Sequence, residues 1–172
     1  MVVDQNSLKV KKYFLLIIFT LLFTSKSYSS SYSLTKIIEL DEPWGSSFIN
    51  KDEIIITEKS GKIKIVNINS KRFLEVKHNL NFLNVGQGGL LDILYKDNSI
   101  WVSYSEDRGN SKTSTSIAKA KLDKTELNFK NIFQANPPID SGYHFGSRLA
   151  IKGNYLFASA GERGQGMIAQ DP

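Results

Sequence analysis

The sequence predicts an all-β fold, and three observations support this prediction. From residue 30 onward the chain is a series of short runs rich in Ile, Val, Tyr, Phe and Leu, broken by Gly, Asn, Asp and Lys, as is typical of strands. Residues 53–58 and 62–67 flank the short turn 59–61, and isoleucine alternates with lysine in the second run, which indicates a strand with one buried face. No stretch in this region has the 3.6-residue apolar period of a helix.

Two more hairpins follow, formed by residues 90–95 with 100–105 and by residues 149–152 with 155–160. The three hairpins form an internal repeat, in which a glycine precedes a strand, a tight turn and an apolar strand. The repeat glycines are Gly45, Gly89 and Gly146, and the units end on Glu58, Glu106 and Glu162. Strand repeats of about 40–50 residues are typical of β-propeller blades. An ordinary β-sandwich with unrelated hairpins is the alternative.

The length of the chain limits the number of blades. About 143 residues follow position 29, enough for about three blades, whereas closed propellers have about four to eight. We therefore expect residues 30–172 to be the incomplete, N-terminal part of a propeller domain. Such a partial ring leaves an apolar face and an unpaired sheet edge.

The N-terminus has the pattern of a targeting segment. Lys9, Lys11 and Lys12 precede the apolar run 13–23, and residues 27–29 supply a small-x-small step. This pattern predicts a secretory signal peptide over residues 1–29, hence a periplasmic or secreted protein. The run is too short for a spanning helix, which needs about 20 residues, so we expect no stable membrane insertion after cleavage. An uncleaved N-terminal anchor is the alternative.

Charge and cysteine content exclude several function classes. Removal of residues 1–29 takes away four lysines and one aspartate, so the formal net charge falls from +5 to +2. No block of Lys and Arg with interleaved aromatic residues remains, which argues against a nucleic-acid partner. The chain has no cysteine, so disulfides and thiolate metal sites are excluded.

Three glycine-rich segments carry the candidate chemistry: residues 86–89, 143–148 and 161–164. The amide of Gln87 can donate and accept hydrogen bonds, which suits a sugar hydroxyl or a quinone oxygen. His144 is suited to general base catalysis near neutral pH. Taken alone, such a histidine is more often a structural hydrogen-bonding residue.

In this order, and with Pro43-Trp44-Gly45 before them, these segments resemble the PQQ-dependent soluble aldose sugar dehydrogenases, the glucose/sorbosone dehydrogenase family. The resemblance spans residues 43–171 and implies a six-bladed β-propeller, of which this chain holds about the first three blades. The chain departs from the family pattern at Glu162, where an aspartate is usual, at Ser147, where a glycine is usual, and in the turn 95–98.

The resemblance also implies an activity and site residues. It implies an enzyme that oxidises aldose sugars at C1 by hydride transfer to the quinone of PQQ, with His144 as general base and Gln87 facing the active site. Arg148 would bind a carboxylate of PQQ or pair within its blade, and Arg163 is a further candidate for binding substrate or cofactor. A calcium ion is implied too, with ligands downstream of this chain. We therefore expect no metal ligands in these 172 residues and no activity of this chain alone.

Two other functions remain open from the residues. One is a non-catalytic propeller that binds a carbohydrate or a protein. The other is a calcium-dependent propeller lactonase, for which the three repeat glutamates would supply acidic ligands.

Overall fold

The computed structural model describes residues 31–170, so the predicted signal peptide lies outside the described residues. In this part of the chain there are eleven strands, one short 3₁₀ helix and no α-helix, and none of it forms a helix long and apolar enough to cross a membrane. The strands are β1 (Pro43–Phe48), β2 (Glu53–Glu58), β3 (Ile63–Asn67), β4 (Arg72–His78), β5 (Leu90–Lys96), β6 (Ser99–Asp107), β7 (Thr113–Lys121), β8 (Glu126–Leu127), β9 (Lys130–Gln134), β10 (Gly146–Lys152) and β11 (Tyr155–Ala160), and the 3₁₀ helix is Gly166–Gln170. The prediction of an all-β fold is confirmed.

The strands form three consecutive blades. Blade 1 has the order β1-β2-β3-β4 with β8 at its outer edge, blade 2 has the order β5-β6-β7-β9, and blade 3 is the pair β10-β11. Within the blades all neighbours are antiparallel, and β8 alone pairs in parallel, with β4. This short parallel contact fastens the connection that follows β7 to the edge of the preceding blade.

The three predicted hairpins are present. In the first, Ile55 of β2 lies opposite Ile65 of β3, and both are buried. In the second, Asp97 and Asn98 form a two-residue turn with left-handed φ values of 48° and 59°, a geometry that asparagine and aspartate adopt readily. The turn 95–98, where the sequence departs from the family pattern, is therefore an ordinary tight hairpin turn.

The hydrophobic core lies between blades 1 and 2. Its centre consists of buried aliphatic side chains from β2, β3 and β4 packed against side chains from β5, β6 and β7, and it includes Ile55, Ile63, Val76, Leu90, Ile93, Ile100 and Val102. In β3 and β6 every second residue faces the core, as the period-2 alternation predicts, whereas in β5 the core residues Leu90 and Ile93 are three positions apart because the pairing register shifts between them. Trp44, at the start of β1, is half exposed and lies outside this core.

The inner strands β1, β5 and β10 lie side by side, and each has a β-bulge at the same place. The pairing register shifts between Pro43 and Ser46 in β1, between Leu90 and Ile93 in β5, and between Gly146 and Leu149 in β10. The bulges show which residues are equivalent in the three blades: Gly45 is equivalent to Asp92 and Arg148, and not to Gly89 and Gly146. The repeat alignment expected from the glycines was therefore wrong by a few residues.

A hydroxyl group fastens each bulge. The backbone N–H of the bulge residue donates to a hydroxyl on the second strand of its blade at 3.0 Å in all three blades. The three pairs are Gly45 with Thr57, Asp92 with Ser103, and Arg148 with Ser159. The Thr57 hydroxyl then donates to the Leu91 carbonyl at 2.5 Å, and the Ser103 hydroxyl donates to the Ser147 carbonyl at 2.6 Å. Each hydroxyl of the first two blades therefore joins its own bulge to that of the next blade.

The outer side of blade 3 is open. Ile132, Phe133 and Phe157 are each about half exposed, and an apolar cavity of about 290 Å³ lies between β11 and the strands β7 and β9. The expected exposed apolar face is present.

Candidate functional site

The site is formed by the loops that enter the inner strands β5 and β10. The Gln87 backbone N–H donates to the Gly142 carbonyl at 2.7 Å, so the two loops touch. Gly86 has a left-handed φ of 57°, and a Cβ there would lie 2.4 Å from the same carbonyl oxygen. Glycine is needed for this approach, because both the backbone conformation and the available space exclude a side chain. Residues 86–89 and 143–146 therefore lie at the same end of the blades.

Gln87 and His144 meet directly. The side-chain oxygen of Gln87 accepts the His144 backbone N–H at 2.9 Å, and both residues are exposed. The backbone of His144 has φ of 51°, which is uncommon for a residue with a side chain and is frequent at functional sites. The contact with Gln87 helps to hold this conformation, in which the ring projects from the loop.

The His144 ring is oriented by Glu162, which follows β11. His144 Nδ1 and Glu162 Oε1 are hydrogen-bonded, and the hydrogen bond from His144 lowers the pKa of the Glu162 carboxyl. An ionised carboxylate only accepts, so Nδ1 carries the proton and Nε2 is left as the ring's proton acceptor. The histidine side chain is 54% exposed. The pair therefore presents a basic nitrogen to the open end of the blades.

The segment after β11 also packs against the backbone of the loop that carries His144. The Gly161 backbone N–H donates to the Phe145 carbonyl at 3.0 Å, and the Thr115 hydroxyl donates to the same carbonyl at 2.7 Å. A Cβ on Gly161 would lie 1.9 Å from the His144 carbonyl oxygen, so no side chain fits at this position. The glycine allows the two backbones to pack together directly beneath His144.

Arg148 and Arg163, the two arginine candidates, have different surroundings. The Arg148 side chain is 81% exposed and projects from inner strand β10, with Asp92 Oδ1 at 3.5 Å. Its guanidinium is open to a ligand. Arg163 is buried, and its hydrogen bonds go to the loop around His144 and to Thr113. The structure therefore brings Gln87 and His144 together. The side chain of Arg148 projects from β10 toward Asp92, and Arg163 is buried against the loop that carries His144.

The three repeat glutamates do not form one acidic ring. Glu106 and Glu162 each lie two residues beyond a bulge partner, Tyr104 and Ala160, whereas Glu58 is itself a bulge partner. Glu58 is fully buried and paired with Lys64 at 2.6 Å. No group of three or more His, Cys, Asp or Glu side chains in residues 31–170 could hold a metal ion. The acidic ligands that a propeller lactonase would need do not converge in this part of the chain.

Glu106 belongs to a structural network on the outer strands of blade 2. Its carboxylate accepts hydrogen bonds from Ser116, Asn131 and Gln134, and the Tyr104 hydroxyl donates to Asn131 at 2.5 Å. Burial and the nearby Glu106 charge raise the pKa of Tyr104 to about 12. This network uses the acceptor capacity of Glu106 to join β6, β7 and β9.

Sequence reasoning missed two features of the site. Glu162 was considered as a repeat position and as a departure from the family aspartate, not as the partner of the His144 ring. Arg163 was considered as a ligand contact, not as a support for the loop. Both residues lie in the segment Gly161-Glu162-Arg163-Gly164. The adjacent glycine, carboxylate and arginine are the sequence feature that could have indicated their roles.

Comparison with known proteins agrees with this geometry. The Glucose / Sorbosone dehydrogenase family model matches residues 40–172. The chain belongs to the glucose/sorbosone dehydrogenase family. Among curated members, it is 31% identical over 143 residues to the aldose sugar dehydrogenase YliI of Escherichia coli strain K12, covering 77% of this chain and 38% of that protein. It is 28% identical over 140 residues to the uncharacterized protein slr1608 of Synechocystis, covering 73% of this chain and 34% of that protein.

Solved structures of this family have the same arrangement of strands. The apo form of the soluble aldose sugar dehydrogenase from E. coli superposes with a TM-score of 0.71 at 31% identity, over 77% of this chain and 41% of that one. The PQQ-bound aldose sugar dehydrogenase from Streptomyces coelicolor superposes with a TM-score of 0.71 at 22% identity, over 83% and 45%. The chain thus spans about two-fifths of the length of its relatives, and its fold is the first part of the family's six-bladed propeller.

Proposed function

We propose that the intact protein oxidises aldose sugars at C1 with PQQ as cofactor, and that His144 is the general base. The observation that carries the proposal is the His144–Glu162 pair, in which Nδ1 is held by a carboxylate and the ring is exposed beside Gln87. Membership of the family supports sugar dehydrogenation as the activity, and the PQQ-bound S. coelicolor protein of the same fold supports the choice of cofactor.

His144 is arranged to take a proton from a sugar. Its Nε2 accepts the proton of the C1 hydroxyl while the C1–H bond breaks and the C1–O bond gains double-bond character, which converts a cyclic aldose to its lactone. The imidazolium that forms is stabilised by the Glu162 carboxylate on the opposite ring nitrogen. Because Glu162 also fixes the ring orientation, the base needs no reorganisation when the sugar binds.

The open side chains fit an anionic, planar cofactor. PQQ, when bound, supplies the acceptor for the hydride that leaves C1. The exposed Arg148 guanidinium is suited to hold one of its carboxylates in a bidentate contact. The Gln87 amide nitrogen is suited to donate to an oxygen of the cofactor or sugar, since the amide oxygen is already used by His144. Arg148 and Gln87 would thus bind, and His144 would move the proton.

Calcium and the place of action belong to this proposal as well. We propose that the calcium ligands lie downstream of this chain, as the family resemblance implies. Export to the periplasm or beyond is proposed from the basic and apolar pattern of residues 9–29.

The test compares His144→Ala with His78→Gln in the intact protein loaded with PQQ and calcium. His78 is the matched control, because its ring is structural: Nε2 bonds the Gly61 carbonyl at 2.7 Å, and Nδ1 accepts the Leu80 N–H at 3.2 Å. We expect His144→Ala to lower kcat for glucose at least about 100-fold with an artificial electron acceptor, while His78→Gln keeps most of the activity that its folded fraction allows. Near wild-type kcat in His144→Ala, with circular dichroism showing a native fold, would contradict the role of His144. Sugar binding by the wild type without turnover would indicate a non-catalytic propeller.

A further inference from the structure

Arg163 is a buried arginine whose hydrogen bonds all go to neutral groups. Its exposed fraction is 5%. Its Nε donates to the Tyr143 carbonyl at 3.0 Å, and its terminal nitrogens donate to the Thr113 carbonyl at 2.9 Å, to the Thr113 hydroxyl at 2.6 Å and to the Ser141 carbonyl. No carboxylate among the described residues forms a salt bridge with it. Burial lowers the pKa of the guanidinium. The groups that compensate for the loss of water around the charge are all neutral hydrogen-bond acceptors.

The groups that Arg163 contacts in this loop lie on both sides of His144 in the sequence. The carbonyls of Ser141 and Tyr143 precede the histidine, and the ring of Phe145, which follows it, lies 3.7 Å from the guanidinium carbon. The guanidinium therefore contacts residues on both sides of the proposed base. The contacts to Thr113 anchor this assembly to β7 of the neighbouring blade.

The chemistry of the contact is specific to arginine. A guanidinium presents five donors in one plane and stacks on an aromatic face, whereas a lysine ammonium is a compact point charge with three donors. Only the planar group can satisfy acceptors on two sides while its face covers Phe145. Arg163 also continues directly from Glu162, so the residue that orients the His144 ring and the residue that binds its loop share one short segment.

We propose that Arg163 is a positioning residue: it holds loop 141–145 in the one conformation in which the His144 ring meets Glu162. Its effect on the structure is independent of the reaction, and only its effect on turnover rests on the proposed function. Because Arg163 is almost fully buried and its donors are used by the loop and by Thr113, it acts through His144 and not on the sugar.

The first test observes the ring directly, without cofactor or substrate. In the intact protein with ¹⁵N-labelled histidine, we expect His144 to be protonated at Nδ1, where Glu162 accepts, and His78 to be protonated at Nε2, where the Gly61 carbonyl accepts. The opposite tautomer of His78 serves as an internal control. In Arg163→Lys, we expect the His144 signals to move to the averaged values of a free histidine while those of His78 stay. Unchanged His144 signals in a folded Arg163→Lys protein would overturn the proposal.

A milder variant and a matched control keep this test decisive. Thr113→Val keeps the shape of the side chain but removes one acceptor of Arg163 and the long hydrogen bond from Thr113 to the Ser141 carbonyl at 3.4 Å, and it serves if Arg163→Lys does not fold. It should move the His144 signals in the same direction. Arg108→Lys is the control, because Arg108 lies in blade 2, donates to Ser114 and contacts Glu106, and has no contact with the loop. Equal changes in Arg108→Lys and Arg163→Lys would contradict a specific role.

The second test separates this proposal from the proposed function. Arg163→Lys should lower kcat about 10–100-fold, as expected for a displaced catalytic group, with a smaller change in KM. If the ring signals move but His144→Ala keeps its activity, the positioning role stands and the catalytic role fails. If His144→Ala is inactive while Arg163→Lys keeps both the signals and kcat, the catalytic role stands and the positioning role fails.

Discussion

The side-chain oxygen of Gln87 accepts the backbone N–H of His144 at 2.9 Å, which joins the loop before blade 2 to the loop before blade 3. The contact uses the amide oxygen of Gln87 as an acceptor. The amide nitrogen is the group that we propose donates to the cofactor or sugar. Gln87 therefore combines a structural role and a proposed binding role in one side chain.

Substitutions at Gln87 should separate these two roles. Gln87→Met removes the acceptor and the donor, whereas Gln87→Glu keeps an acceptor for the His144 N–H. We expect Gln87→Met to lower the free energy of unfolding by about 0.5–1.5 kcal/mol, because one hydrogen bond is lost, and Gln87→Glu to lower it less. Urea unfolding followed by fluorescence measures both. A larger loss of stability in Gln87→Glu than in Gln87→Met would show that the acceptor does not hold the loop.

The contribution of Glu162 to stability should depend on pH. The hydrogen bond from His144 lowers the pKa of Glu162 below its usual value of 4.5, so its stabilising effect is fully present above about pH 4.5 and is lost as the pH falls through the lower, folded-state value. The difference in unfolding free energy between wild type and Glu162→Gln should therefore shrink as the pH is lowered from 6 to 3.

Urea unfolding at intervals over this pH range provides the measurement. Glu126→Gln, at an exposed glutamate on β8, is the control and should show no comparable trend. A difference for Glu162→Gln that grows on acidification would mean that the carboxylate is destabilised by its surroundings, contrary to the structure.

The hydroxyl of Ser103 should matter more than that of Ser159. Ser103 is fully buried and serves the Asp92 N–H and the Ser147 carbonyl, so Ser103→Ala leaves two buried backbone groups without this partner. We expect a loss of about 1–3 kcal/mol in the free energy of unfolding. Ser159 is the matched control, because it accepts the equivalent N–H of Arg148 but is exposed, and Ser159→Ala should lie within about 0.5 kcal/mol of wild type. Equal effects of the two substitutions would contradict the importance of the contact between blades.

A methyl group at Gly161 should disturb the site from below. Its Cβ would lie 1.9 Å from the His144 carbonyl oxygen, so the loop must move, and we expect Gly161→Ala to destabilise the fold by about 1–3 kcal/mol and to reduce turnover. Gly153→Ala is the control in the same blade: a Cβ at Gly153 meets nothing within 4 Å, so any destabilisation there comes only from the left-handed φ of 59°, and turnover should stay unchanged. Thermal unfolding and steady-state rates, measured on both variants, decide the matter. Full activity in Gly161→Ala would show that the His144 backbone can shift without consequence.

The strands could be predicted from the sequence because their signals are local. Alternation of Ile and Lys over residues 62–65 identifies a strand, and Asp97-Asn98 identifies a tight turn. The expectation of one buried face was wrong, because Lys64 is buried as well, paired with Glu58. The family resemblance implies that Gln87 and His144 serve one active site, but the hydrogen bond between them has no local signal in the sequence.

The bulges and the support beneath the loop could not be predicted from local patterns. A bulge depends on pairing between strands that are far apart in the sequence, so Gly45, Gly89 and Gly146 suggested an alignment that the pairing register does not follow. The role of Arg163 depends on Thr113, 50 positions earlier. Such a contact has no periodic signature, and an arginine beside a glycine is equally compatible with a ligand site.

The bulges also determine where the molecule can tolerate insertions. Four residues, 49–52, join the first two strands of blade 1, whereas two residues join the corresponding strands of blades 2 and 3. The bulge in the first strand shifts the pairing register in the same way in all three blades. The lengths of these turns are therefore decoupled from the end that carries Gln87 and His144. New loops could accumulate at the far end during evolution, or be added there by engineering as affinity tags or electrode attachment points, while the spacing between the two loops of the site stays the same.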